Sequence, residues 1–158
     1  MENRLELLRT EIDKLIFKEN HAHYDIRKCI SHMYGVAFFC TVLAKKRNMN
    51  VELATTCGML HDICWMTGRG GDDHAVKGAE QAKEILKTMN IYSDDEINIV
   101  TAAMSKHSDK SMVNEPYDEL LKDADVMAHC FYNADFPIAD WEMARYKNLL
   151  AEFGLPPA

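Results

Sequence analysis

Acidic and imidazole side chains lie within apolar, helix-like stretches of this 158-residue chain, where polar groups need partners. His61 and Asp62 are adjacent and precede the glycine-rich segment TGRGGDD. His32 lies in the middle of IRKCISHMYGVAFFCTVLAKK, and Asp125 lies in LLKDADVMAHC. Each residue alone is more typical of a structural role than of a ligand. As a set they suit a first-row divalent metal such as Mn, Fe, Co, Ni or Zn, which imidazole and carboxylate groups bind.

Two further histidines stand at helix ends beside polar loops. His74 opens the helix after TGRGGDD, and His107 closes a later helix ahead of SDKSMVNEPYD. Both positions are also typical of solvated helix ends, and the helix dipole stabilises a positively charged histidine at a helix C-terminus. Five consecutive predicted helices carry the full set, so the side chains can converge in a helical core. The candidate metal ligands are therefore His32, His61, Asp62, His74, His107 and Asp125.

The elements that must position these residues are predicted from the spacing of apolar residues, which is helical almost everywhere. We predict an all-α fold, a compact bundle of about six to seven helices in one domain over residues 1–158. Its core covers about 25–130, with a flanking helix at each end that either caps the core or forms a homodimer contact. The second helix is expected to begin near Asp25, and the third to run unbroken through VELATTCGMLHDICWM. Ser93 and Glu96 have the spacing of a capping box.

Composition limits the partners that the chain can have. A net charge of −7 and a pI of about 5.4 argue against binding to nucleic acid or to an anionic membrane, which requires a positive surface. No apolar run approaches the length of a membrane span. The five cysteines are scattered without a CxxC pair, which predicts reduced thiols in the core. We therefore expect a cytoplasmic protein with no nucleic-acid partner and no membrane partner.

The order of these residues resembles the HD superfamily of metal-dependent phosphohydrolases. The resemblance extends from about Asp25 to about His129, and its most diagnostic segments are SHMYGVAFFCTVLAKK, VELATTCGMLHDI and LLKDADVMAH. It implies an HD-domain helical bundle in which one divalent metal ion is bound by four residues, His32, His61, Asp62 and Asp125.

Part of that superfamily holds a second metal with two more histidines, as in the dinuclear diadenosine tetraphosphate hydrolase type. The segments HAVKGAE and AAMSKHS are similar to the segments that supply them, which implies that His74 and His107 are ligands and that Asp62 bridges two ions. Two ions are favoured over one. A solvent-facing His74 and a helix-capping His107 remain the alternatives.

The resemblance also implies hydrolysis by a metal-activated water, with His61 and Asp62 at the catalytic centre. Cationic side chains are candidates for positioning the phosphate, although each is also typical of a solvated surface. Lys106, beside His107, and Arg69, in the glycine-rich loop, are the preferred candidates, ahead of Arg27, Lys28, Lys77, Lys110 and Lys122. His129 shares a helix face with Asp125 and is predicted to be a packed core residue. A donor behind the metal ligands and an acid for the leaving group are the alternatives.

One position departs from the family pattern. Many HD hydrolases have a lysine three residues after the His-Asp pair, where this chain has Trp65. Three functions therefore stay open: a phosphohydrolase acting on a small phosphorylated substrate, with a nucleotide favoured; a di-iron oxygenase, for which Tyr24 is a candidate site residue; and a metal- or nucleotide-binding regulator without turnover. Trp65 is expected to lie in the core, or to stack on a base or close the pocket.

Overall fold

The computed structural model of the protein describes residues 3–18, 26–132, 135 and 137–157. Helices and short loops make up all of these residues, which confirms the predicted all-α fold. Tyr24 and Asp25 lie outside the described residues. The helices in this part of the chain are α1 (Arg4–Lys18), α2 (Ile26–Lys46), α3 (Val51–Leu60), α4 (Ile63–Met66), α5 (His74–Met89), α6 (Asp94–Lys106), α7 (Pro116–Tyr132) and α8 (Asp140–Phe153).

Helix α2 is central because it packs against both α3 and α7. It buries Val36, Cys40 and Leu43, which recur at helical spacing on one face. Helix α1 covers the far side of α3, with Leu8 and Ile12 fully buried. Helices α5 and α6 form an antiparallel pair, and α6 packs against α7. The candidate ligands on α2, α5 and α7, and those that directly follow α3 and α6, therefore belong to one bundle.

A glycine sets the close approach of α2 and α3. A Cβ atom on Gly58 would lie 2.7 Å from the Cα of Ala37, a distance that the two backbones could not accommodate without shifting. One turn after Gly58, His61 reaches the ring of His32, which lies earlier on α2. The small residue at position 58 therefore brings these two histidines within contact of each other.

The predicted third helix is interrupted at its chemically important residues. Helix α3 ends at Leu60, and α4 begins only at Ile63. Asp62 adopts φ −114° and ψ 26°, outside the α-helical region, so the chain turns at His61-Asp62. The break differs from the unbroken helix that the apolar spacing predicts. It frees both side chains of the pair from a fixed helical angle of about 100° between neighbours.

The loop between α6 and α7 is held in place by a buried lysine and a partly buried arginine. Lys122 donates from α7 to the carbonyl of Met112 at 2.7 Å and to the amide oxygen of Asn114 at 2.6 Å. Arg145, on α8, donates to the carbonyls of Lys110 and Met112. The loop that follows His107 therefore has a defined position against α7 and α8.

Two other predictions concern the helix start at α6 and the thiols. The Ser93–Glu96 capping box is present at the start of α6. All five cysteines are free thiols, and burial raises the pKa of Cys57 to about 12. Of the helices in the described part of the chain, none combines the length and apolar character that a membrane crossing needs.

Candidate metal centre

The structure brings the six predicted ligands into one cluster between α2, the α3–α4 turn, α5, α6 and α7. Their donor atoms form two overlapping groups that could each hold a metal ion, one with His32, His61 and Asp62, and one with Asp62, His74 and His107. A third group joins Asp125 to His32 and adds His129, a residue that was not predicted to be a ligand.

Asp62 lies between two pairs of histidines. Its Oδ1 atom is 3.6 Å from Nε2 of His74 and 3.5 Å from Nε2 of His107. Its Oδ2 atom is 3.6 Å from Nε2 of His61 and 3.9 Å from Nε2 of His32. The two oxygens of one carboxylate therefore face two different histidine pairs, which is the geometry of a bridging ligand.

Asp125 closes the His32 side of the cluster. Its Oδ1 atom lies 3.1 Å from Nε2 of His32, and that nitrogen lies 3.2 Å from Nε2 of His61. Asp125 is buried, as is His61, whereas His32 is partly exposed. This side of the cluster is therefore partly exposed to solvent at His32 on α2 and buried at His61 and Asp125.

The hydrogen bonds behind three rings determine which nitrogen faces the cluster. Nδ1 of His61 contacts the carbonyl of Gly58 at 2.7 Å, and Nδ1 of His107 contacts the carbonyl of Met104 at 2.7 Å. Nδ1 of His74 contacts the carbonyl of Gly71 at 2.9 Å. A carbonyl can only accept, so each Nδ1 carries a proton, and a ring with a single proton presents an Nε2 lone pair. Metal-bound histidines in proteins are oriented in this way.

Two buried carboxylate oxygens are left without a donor. Among the described residues, Asp62 Oδ1 and Asp125 Oδ1 receive no hydrogen bond. Burying an unpaired carboxylate oxygen costs free energy, so such atoms call for another partner. Asp62 Oδ1 faces Nε2 of His74 and of His107, and each of these rings, when its single proton is on Nδ1, offers a lone pair and no proton. The donors present fit one or two divalent cations.

The charges of the cluster suit cation binding. Burial would raise the pKa of Asp62, but His61 and His107 outweigh it and hold that pKa well below its usual range. Burial would also raise the pKa of Asp125. The positive charge of Lys110 opposes this most strongly, and the pKa of Asp125 lies well below its usual range. Burial lowers the pKa of His61 to about 4. At neutral pH the cluster therefore contains two carboxylates and a neutral His61.

Lys110 forms an ion pair with one of the predicted ligands. Its ammonium group, only 5% exposed, donates to Oδ2 of Asp125 at 2.5 Å and to the carbonyl of His107 at 2.7 Å. Lys106 instead donates to Asp118 at 2.7 Å. Asp118 lies two turns before Asp125 on α7, roughly 10 Å away along the axis. Arg69 is exposed in the glycine-rich loop. Roles for Lys106 and Arg69 in positioning substrate remain predictions.

His129 is not the core residue that its helical position indicated. Its side chain is 48% exposed, and its ring is stacked on that of His32 with centroids 4.8 Å apart. Nδ1 lies 2.8 Å from Oε1 of the buried Glu142, and this carboxylate raises the pKa of His129. Nε2 lies 3.6 Å from Oδ1 of Asp125. The sequence offers little signal for Glu142, because α8 reaches the cluster only through tertiary packing.

Trp65 occupies the position of the missing family lysine and supports the loop beside it. Its ring lies 5.6 Å from that of His74. A Cβ atom on Gly70 would lie 2.0 Å from the indole, so only glycine fits beneath the ring at this point of the loop. Trp65 therefore orders the glycine-rich loop and borders His74.

A groove opens beside the cluster. It has a volume of about 700 Å³ and shares His32 and His129 with the metal centre. Its other walls are largely apolar, and Lys28 stands at one edge. The apolar and aromatic residues that line it include Phe39, Ala128, Phe131, Tyr132 and Pro137.

The fold and the cluster of histidines and aspartates are those of an all-α protein with a candidate divalent-metal centre. The chain belongs to the HD domain family, whose model matches residues 29–129. A structure of similar fold is that of a predicted HD superfamily hydrolase from an uncultured Thermotogales bacterium. It has 24% identity and a TM-score of 0.62, with 97% of this chain and 95% of that one covered.

Curated relatives include ribonuclease Y from two bacteria. The protein of Geotalea uraniireducens is 32% identical over 105 residues, which is 63% of this chain and 18% of the relative. That of Geobacter metallireducens is 30% identical over 111 residues, which is 63% of this chain and 21% of the relative. The chain thus spans about a fifth of the length of these curated relatives.

Proposed function

We propose that the protein is a metal-dependent phosphohydrolase that cleaves a phosphoester or phosphoanhydride bond of a nucleotide or a related small molecule. The observation that carries this proposal is the position of Asp62, whose two oxygens face separate histidine pairs. A carboxylate so placed can bridge two divalent ions. Fe, Mn, Co, Ni and Zn all suit the donor set.

Bound divalent ions would lower the pKa of a water molecule so that hydroxide is available near neutral pH, and they would neutralise charge on the phosphoryl oxygens. The protein's own residues hold and orient the reactants. His61, His74 and His107 are fixed by their backbone acceptors and keep Nε2 directed inward. Lys110 provides a buried positive charge beside Asp125, in the absence of the family lysine at position 65.

The groove beside His32 and His129 suits the organic part of such a substrate. Its aromatic walls favour a planar ring, and aromatic side chains gain free energy by stacking on bases. The name ribonuclease Y denotes cleavage of RNA, which is also a phosphodiester. The net charge of −7 disfavours a long polyanion, so a small substrate is preferred here.

The proposal is tested by anaerobic metal analysis combined with phosphate release from a panel of substrates. The panel contains mononucleotides, dinucleoside polyphosphates, cyclic dinucleotides and a short RNA. We expect one or two ions per chain, and release of phosphate or of a nucleotide monophosphate that does not require oxygen. The variant Asp62→Ala should lose both metal and activity, whereas Asp95→Ala, at an exposed position on α6, should keep both.

The alternatives predict other results. A di-iron oxygenase would require oxygen and ferrous ion and would turn over a phosphonate or a polyol. A regulator would bind metal or nucleotide without turnover. Either result, or full activity in Asp62→Ala, would contradict the proposal.

A further inference from the structure

We propose that His129, oriented by Glu142, is an additional metal ligand on the Asp125 side of the centre. The inference rests on the proposed function only in that the centre binds divalent metal. It does not depend on the reaction or on the substrate.

The first argument is the hydrogen bond behind the ring. His61, His74 and His107 each donate Nδ1–H to a backbone carbonyl, which leaves Nε2 directed into the cluster. His129 has the same arrangement, except that its Nδ1 donates to the Glu142 carboxylate at 2.8 Å. A carboxylate behind an imidazole fixes the ring and strengthens it as a ligand.

The second argument is the point at which the donor atoms converge. Oδ1 of Asp125 receives no hydrogen bond from the described residues. Nε2 of His32 lies 3.1 Å from this oxygen, and Nε2 of His129 lies 3.6 Å from it. The rings of His32 and His129 are also stacked, with an angle of 7° between their planes. All three donor atoms lie within 4.8 Å of one another.

The distances decide between a shared ion and a direct ion pair. A charged imidazole paired with a carboxylate would place nitrogen and oxygen about 2.7–2.9 Å apart. Two ligands at about 2.1 Å from one ion, at angles from octahedral to tetrahedral, lie roughly 3.0–3.4 Å apart. The His129–Asp125 separation of 3.6 Å is too long for a direct bond and close to the spacing of two ligands of one ion. The Asp62 separations of 3.5 and 3.6 Å to the predicted ligands His107 and His74 are similar.

The consequence is a difference between the two sides of the centre. His129 would add a donor to the group that Asp125 forms with His32, whereas Asp62, His74 and His107 form a group that His129 does not join. Loss of His129 should therefore weaken the binding of one ion and not of the other.

Metal titration of the full chain tests this inference. We compare wild type, His129→Ala and Glu142→Gln by calorimetric titration with cobalt(II) and by proton NMR of the cobalt-loaded proteins. For His129→Ala we expect the affinity for one ion to fall by at least about 10–100-fold, which is the loss that removal of a partner behind a ligand alone causes, with the affinity for the other ion unchanged. One strongly shifted, exchangeable imidazole N–H signal should disappear. In Glu142→Gln that signal should shift, because the imidazole stays while its acceptor loses charge.

His129 is half exposed, and circular dichroism can check that its substitution leaves the fold intact. If His129→Ala keeps both affinities and every shifted imidazole signal, His129 is not a ligand, and the proposed function stands without it. If the wild-type protein binds no cobalt, the proposed function fails together with this inference.

Discussion

The two carboxylates of the cluster have different surroundings. Asp62 faces histidines with both oxygens, at a turn between two helices. Asp125 lies within α7 and directs one oxygen to Lys110 and the other to His32 and His129. The first geometry would suit a carboxylate that bridges two ions, and the second a carboxylate that binds one ion while Lys110 balances part of its charge. The same residue type would thus have different roles at the two positions, because its neighbours differ.

The largest expected effect is a difference in metal content between variants of the two carboxylates. Asp62→Asn should remove both ions and lower the rate of phosphate release by about 10³-fold or more, because catalysis and metal retention both depend on it. Asp125→Asn should remove one ion. Metal content by elemental analysis after dialysis checks this difference. An equal loss of metal in the two variants would contradict a bridging role for Asp62.

The second prediction concerns the charge that balances Asp125. Lys110→Met leaves a buried carboxylate without its cation, which should cost about 3–5 kcal/mol in the free energy of unfolding of the metal-free protein. Urea denaturation measures this value, and added divalent metal should restore part of it. Lys14→Met, on α1, is the matched control. Both side chains of its pair with Glu11 are exposed, at 63% and 40%, so this substitution leaves no buried carboxylate and should change the stability far less.

The third prediction tests the neutral state of His61. Burial lowers its pKa to about 4, whereas the unfolded value is about 6.5. The unfolded chain therefore binds the extra proton first, and stability is lost as the pH falls from 6.5 towards 4. The loss should be on the order of 2–4 kcal/mol for the metal-free protein. The low pKa of Asp62 acts in the same direction at still lower pH.

Urea denaturation at pH 7 and pH 5 checks this dependence. His61→Gln should show a weaker loss of stability over that interval, since it has no ring to protonate. An unchanged slope in His61→Gln would assign the pH dependence to other groups.

The smallest effect should come from Trp65, which supports only one side of the centre. Trp65→Ala removes the ring against Gly70 and His74. We expect the affinity for the ion on the His74 side to fall a few-fold, roughly 0.5–1 kcal/mol, and the other to stay unchanged. Calorimetric titration resolves the two events. Equal weakening at both would mean that Trp65 acts on the bundle as a whole.

Helices and the ordered set of histidines and aspartates were predictable from sequence, because both depend on local spacing. The apolar repeat of α2 places Val36, Cys40 and Leu43 on one face. The break at His61-Asp62 was not predictable, since neither glycine nor proline interrupts LHDICW. It arises where tertiary packing outweighs the local helical preference.

Contacts between distant segments were also beyond sequence reasoning. The sequence alone does not distinguish Lys110 from the other candidate cations. Its position beside Asp125 depends on the loop that contains it, and Arg145 and Lys122 hold that loop in place. Glu142 is thirteen residues from His129 and meets it only because α8 packs on α7. Such pairs depend on where a loop and a terminal helix dock, and residue spacing does not determine that.

Helix α8 lies beyond residue 129, where the family match ends. It nevertheless contributes Glu142 behind His129, and Arg145 against the Lys110 loop. An expression fragment cut at the family boundary would therefore lack both supports while retaining all six predicted ligands. The smallest fragment suitable for biochemical or spectroscopic work on this centre should extend through Phe153.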